Sequence, residues 1–95
     1  MIKVFWSEKE NRQNIRKHRV DFSEAKTVFD DPMQISKNDP DHSFDENRYI
    51  TMGVSIQNRL LIMAHTVDND KIKIITARKL TRSERKNYEE GEFDA

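Results

Sequence analysis

The chain has no cysteine, which excludes disulfides and any zinc site built on thiolates. It has only two glycines and two prolines, which argues against a disordered or linker-rich protein. Its longest apolar run, Leu60 to Ala64, is five residues, against the roughly 20 needed to cross a bilayer as a helix. No apolar leader opens the sequence. A cytoplasmic protein with no membrane partner is therefore expected. Net charge is also absent, with 17 bases against 17 acids.

The 95 residues suit one domain, taken as 1–95, with a single hydrophobic core and no large internal cavity. Hydrophobic residues make up 35% and charged ones 36%, so the surface must be highly charged. The charge is segmented. Residues 8–19 carry +3, residues 21–47 carry −6, residues 71–87 carry +6 and residues 88–95 carry −4. A neutral chain that gathers positive charge along one stretch is built to present it to a polyanion.

The pattern of apolar residues predicts the elements. Ile2 to Trp6 reads as a short strand. Ser7 with Glu10 is a capping-box start for a helix from Glu8 to about Lys17, and Asp21 with Glu24 repeats that logic. Phe22, Ala25, Val28 and Phe29 then mark one helical face, which Asp30-Asp31-Pro32 terminates. Met33 to Ser36 is a short strand candidate, and Asn38 to Asn47 a polar acidic loop. A meander follows: Arg48–Val54, a turn at Ile56–Asn58, Arg59–Val67, a turn at Asp68–Asp70, and Lys71–Ala77. Such short turns require antiparallel pairing. Thr81 with Glu84 starts a last helix, running to about Glu90 with Gly91 as its C-cap. The order β-α-α-β-β-β-β-α gives an α+β domain, a curved, mostly antiparallel sheet with two N-terminal helices and one C-terminal helix. Phe22, Val28, Phe29, Ile50, Met52, Ile62, Ile72 and Ile74 are its expected core.

Several groups carry possible chemistry. Arg78 and Lys79 sit at the exit of the last strand, Arg82 and Arg85 on the helix beyond, and Arg48 at the start of a neighbouring strand. Guanidinium forks at a strand end suit phosphate. The same residues also fit a solvated basic helix with Arg85–Glu89 and Lys86–Glu90 pairs. His65 shares a strand face with Leu61 and Met63, which favours a hydrogen-bonded core histidine over acid–base work. Lys17 and His18 end the first helix, where the helix dipole alone favours cations. Trp6 suits the edge of the core better than a base-stacking role. Asp39, Asp41, His42, Asp45 and Glu46 alternate as in a calcium loop, but Phe44 stands where such a loop needs glycine. No metal site and no cofactor are expected.

Taken in order, Trp6-Ser7-Glu8-Lys9, Asn11, Asn14, Lys17-His18, Phe22, Ala25, Val28-Phe29-Asp30-Asp31-Pro32, Arg48-Tyr49-Ile50-Thr51-Met52-Gly53, Ile74-Ile75-Thr76-Ala77-Arg78-Lys79, Glu84-Arg85 and Tyr88-Glu89 resemble the BrnT family of type II toxins. The resemblance runs from Val4 to Gly91. It implies a RelE-like fold and a ribonuclease toxin, held inactive by a BrnA-type antitoxin with a ribbon-helix-helix domain. Operator DNA would be met only through that antitoxin, in repression of the toxin's own operon. One position departs: the family usually has glycine after Lys-His, and here Arg19 follows His18. That puts a side chain in a left-handed turn, at mild strain.

The resemblance implies metal-independent RNA cleavage that arrests translation and growth. Arg48, Arg78 and Lys79 are carried over as phosphate and transition-state contacts, with His65 and Tyr88 as proton-transfer candidates. Lys17, His18, Lys73, Arg82, Glu84 and Arg85 are assigned to RNA binding. The alternative is a non-catalytic module of the same fold that binds the antitoxin and acts only in operon autoregulation.

Overall fold

The computed structural model describes residues 2–39, 41 and 47–93. Among these, one five-stranded sheet runs in the order β1-β5-β4-β3-β2. The strands are β1 (Lys3–Phe5), β2 (Ile35–Asn38), β3 (Arg48–Val54), β4 (Leu60–Asp68) and β5 (Lys71–Lys79); the helices are α1 (Glu8–His18), α2 (Phe22–Ala25) and α3 (Arg82–Glu90). Strands β2 to β5 pair antiparallel, and β1 joins β5 in parallel. The expected class and element order are both present. Strand β2 begins two residues later than expected, because Asp31 and Gln34 hold Met33 and Gln34 in a turn.

Local chemistry explains the helix ends. Ser7 Oγ accepts from Glu10 N–H, Asp21 from Ser23 N–H, and Thr81 with Glu84 forms a reciprocal capping box. Glu24 does not complete a box with Asp21; its carboxylate is used elsewhere. Arg19 takes the left-handed conformation at φ 59°, closing α1 by donating its N–H to Ile15 O. Helix α2 lasts four residues and tightens into a 3-10 turn over Lys26–Asp30. That change of pitch rotates Phe29 to a half-buried position while Val28 stays fully buried.

Helices α1 and α2 cover one face of the sheet. Val20, Phe22, Ala25 and Val28 pack there with Leu61, Met63, Ile74 and Ala77 as a single core cluster. A bulge makes this possible. Ala64 pairs with Thr76 but His65 with Ile74, so Ile75 is the extra residue. It lets Ile74 and Ala77 lie on one face despite their odd spacing. Met52, Ile62 and Ile72 are buried as expected, whereas Ile50 is only half-buried. Its face is the open one.

Two side chains finish the sheet where strands run out. Strand β1 pairs with β5 only as far as Lys73, and beyond it Asn14 takes over as a strand would. The Asn14 side chain donates to Ala77 O at 2.8 Å and accepts from Ala77 N–H at 3.0 Å. At the other edge β2 stops opposite Met52, and Asp31 Oδ2 accepts from Val54 N–H at 2.9 Å. Ala77 and Val54 are thereby hydrogen-bonded past the ends of their neighbouring strands. Glu24 ties the turns together. It accepts from Ser55 Oγ and from two nitrogens of Arg59, which also donates to Arg19 O.

Candidate active site

The open face of the sheet carries Ile50, Ala64 and Thr76 in one row and Met52, Ile62 and Arg78 in the next. Helix α3 leaves β5 over this face. Between them lies a cleft of about 460 Å³, floored by Ile50, Ile62, Ala64 and Thr76. Arg78, Glu84 and Asn87 line it from the β5–α3 side, His18 from the end of α1, Lys37 from β2, and Asp39 and Asp41 from just beyond β2. Asn14 at the β5 edge is what brings the end of α1, and with it His18, beside Thr76 and Arg78.

Arg78 and Glu84 form a two-point pair, Nη1 to Oε1 at 2.8 Å and Nη2 to Oε2 at 2.9 Å. Glu84 Oε1 also accepts from Thr81 N–H, so the helix cap and the ion pair share one carboxylate. The Arg78 hydrogen bonds hold the Glu84 carboxyl below its ordinary range, and Glu84 in turn raises the Arg78 guanidinium. Both are charged at neutral pH. The Arg78 side chain remains 42% exposed, and a guanidinium has five N–H donors. A fixed, charged and partly free fork facing a cleft is equipped to hold a phosphate.

The other residues singled out in the sequence separate into groups. His18, Arg78 and Glu84 share the cleft. Arg48 stands at the start of β3, its Nε donating to Asp39 Oδ2 at 3.2 Å, and reaches the cleft wall only through that carboxylate. Lys79, Arg82, Arg85 and Lys17 are exposed, and Lys73 pairs loosely with Glu10 at 3.4 Å. The Arg85–Glu89 and Lys86–Glu90 pairs do not form ion pairs among the described residues. Lys79 and Arg85 line a separate hollow with Tyr88. Asp39 accepts from Asp41 N–H; His42, Asp45 and Glu46 of the acidic loop lie outside the described residues.

His65 and Tyr88 are not with Arg78. His65 lies on the helix-covered face, 3% exposed, between an edge-on Phe29 and a stacked Tyr49. Its Nδ1 donates to Thr66 O at 3.4 Å, since a carbonyl only accepts, and its Nε2 accepts from Thr51 Oγ1 at 2.7 Å. Burial pushes its pKa down. It is the hydrogen-bonded core histidine that its strand neighbours suggest. Tyr88 Oη donates to Asp31 Oδ2 at 2.7 Å. Burial, then the Asp31 carboxylate, pushes its pKa up to about 12, so the phenol is locked as a donor. Trp6 stands edge-on to Phe22 against the core.

Sequence reasoning missed two residues. Asn87 faces the cleft one turn after Glu84, and Phe93 lines it from just past the Gly91 cap. The i, i+3 spacing of Glu84 and Asn87 was the available signal.

Comparison with known proteins bears on what this cleft does. No curated protein sequence matches the chain. The crystal structure of the Brucella abortus ribonuclease toxin BrnT superposes with a TM-score of 0.67 at 16% identity, covering 86% of this chain and all of that one. At that identity the likeness shows a shared fold. A family model described as the ribonuclease toxin BrnT of type II toxin-antitoxin systems matches residues 6–84. The matched span takes in α1, the whole sheet beyond β1, and Arg78 with Glu84. The chain belongs to the BrnT family, the ribonuclease toxins of type II toxin-antitoxin systems.

Proposed function

We propose that this toxin binds RNA in the cleft under α3 and cuts it without a metal, by attack of a ribose 2′-hydroxyl on the adjacent phosphate. The observation that carries the reading is Arg78, held by Glu84 with its guanidinium at the cleft wall. In the step, the 2′-oxygen bonds to phosphorus and the bond from phosphorus to the 5′-oxygen breaks. The 2′-hydroxyl proton passes to a base, and the departing 5′-oxygen receives a proton. Charge gathers on the phosphoryl oxygens in between, and a pre-oriented guanidinium stabilises it there.

Among the described residues His18 is the histidine that lines the cleft, and we assign proton transfer to it. Glu84 orients Arg78, with both carboxylate oxygens accepting from its guanidinium. His65 and Tyr88 are withdrawn from the reaction, since one is buried on the opposite face and the other is committed to Asp31. Lys17, Lys79, Arg82 and Arg85 are the exposed cations that would steer the RNA backbone toward the cleft. Charge stabilisation is assigned to Arg78, whose guanidinium is held by Glu84 at the cleft wall.

A type II toxin is partnered by an antitoxin. We assign that partner to the BrnA type, with a ribbon-helix-helix domain that alone meets operator DNA, and place the toxin in the cytoplasm. The chemistry is tested by the cleavage products. In excess EDTA the purified toxin should still cut RNA and leave 2′,3′-cyclic phosphate ends. Products with a free 3′-hydroxyl, or cleavage that needs a divalent ion, would overturn the mechanism.

A further inference from the structure

The cleft holds more than a phosphate site requires. Its charged end is Arg78 with Glu84. His18 closes one side and Lys37, Asp39 and Asp41 the other, and between them lie a largely apolar floor, one amide and one aromatic ring. Asn87 sits on the cleft side of α3, half-buried, and its side-chain amide makes no hydrogen bond with any described residue. Phe93 lines the same cleft, half-buried, with Lys37 Nζ 4.6 Å from the ring centroid. That cation–π contact spans from β2 to the segment after α3 and stations the ring at the cleft wall. Gly91, left-handed at φ 71°, is the turn that returns the chain so that Phe93 reaches it.

We infer that Asn87 and Phe93 form a nucleobase subsite beside the Arg78 phosphate site: the ring stacks on one base of the RNA and the amide reads its edge. The inference rests on the cleft being the RNA site. An aromatic face accepts any base, whereas an amide presents one donor and one acceptor group and so discriminates among base edges. Stacking then supplies affinity and Asn87 supplies preference.

The test uses Phe93→Leu, which keeps an apolar side chain but removes the ring face, and Asn87→Ala. Two readouts are taken: cleavage of short RNAs with each of the four bases placed in turn beside the cut, and binding of 2′-O-methyl oligonucleotides of the same sequences, which cannot be cleaved. Phe93→Leu should weaken binding of every sequence about tenfold, within the range for loss of one base stack, and raise KM more than it lowers kcat. Asn87→Ala should level the differences between bases in both readouts. Wild-type affinity and wild-type base preference in both variants would overturn the subsite. Arg78→Ala separates this from the cleft itself: if it binds and cuts every sequence like wild type, the cleft reading fails; if it alone is impaired, only the base subsite fails.

Discussion

Tyr88 Oη lies 2.7 Å from Asp31 Oδ2, across 57 residues of sequence, and joins α3 to the edge of β3. The same oxygen accepts from Val54 N–H, and the other carboxylate oxygen accepts from Met33 N–H. One buried acid thus finishes the sheet edge, orders the turn before β2 and anchors the helix that roofs the cleft. Burial works to raise the Asp31 carboxyl, but its three donors outweigh that and hold it below the ordinary range.

Tyr88→Phe removes one donor to a buried carboxylate and should cost about 1.5–3 kcal/mol of stability, as for a hydrogen bond to a charged group. Urea denaturation measures it. RNA cleavage at a temperature where the variant is folded should persist, because the mechanism we propose does not use the phenol.

Gly53→Ala should be destabilising although the residue lies in a strand, where alanine is usually tolerated. A methyl group there would stand 2.8 Å from Asp31 Oδ2 and 3.0 Å from Val28 Cγ1. Neither neighbour is free to move, since Asp31 is held by its donors and Val28 is fully buried. A loss of about 1–3 kcal/mol is expected, as for overpacking elsewhere, read from the same denaturation curves.

Glu24 is 3% exposed in its side chain and Arg59 29%. Arg59→Met leaves that carboxylate with only Ser55 and should cost about 3 kcal/mol, the low end for breaking a buried pair because Arg59 is partly solvated. Glu24→Gln with Arg59→Met should cost less than the sum of the two single changes. The Arg59 hydrogen bonds hold the Glu24 carboxyl below its ordinary range. Its folded pKa is therefore lower than its unfolded one. The stabilisation is fully present above the unfolded value of about 4.3 and is lost as pH falls through the folded value. Denaturation followed from pH 7 down to pH 3 should fall less steeply in Glu24→Gln than in wild type.

How far the sequence foretold this structure depended on distance along the chain. Ser7, Asp21, Pro32, Thr81 and Gly91 act within four residues of themselves, and each does in the structure what its type implies. The left-handed Arg19 was legible only through the family resemblance, which puts glycine at that turn. Contacts between remote residues were not. Asn14 closing the β5 edge, Arg59 meeting Glu24 and Tyr88 meeting Asp31 arise from the packing of whole elements. The bulge at Ile75 hid which face Arg78 occupies relative to His65. Arg78 and Glu84 were both singled out as site residues, yet their pairing was masked by the capping role already visible for Glu84. Phe29 and Ile50 read as core because hydrophobicity carries no sign of a changed helical pitch or of an open cleft.

The antitoxin is expected to cover the basic stretch of residues 71–87, where Lys71, Lys79, Arg82, Arg85 and Lys86 are exposed. Its docking segment should be acidic or amphipathic. Association rates should then fall as salt rises, because long-range steering is screened. The Arg82→Glu, Arg85→Glu double variant should associate more slowly and bind more weakly. A flat salt series with unchanged affinity would place the antitoxin elsewhere.

The central claim is that Arg78, oriented by Glu84, stabilises the reacting phosphate. The direct measurement is the single-turnover rate of RNA cleavage in EDTA by Arg78→Ala and Arg78→Lys, with circular dichroism and antitoxin binding confirming the fold. Loss of a charge-stabilising donor predicts a fall of about 100-fold or more in Arg78→Ala, with partial recovery in Arg78→Lys, which restores charge but not the fork. A folded Arg78→Ala variant that cleaves RNA at the wild-type rate would contradict the account.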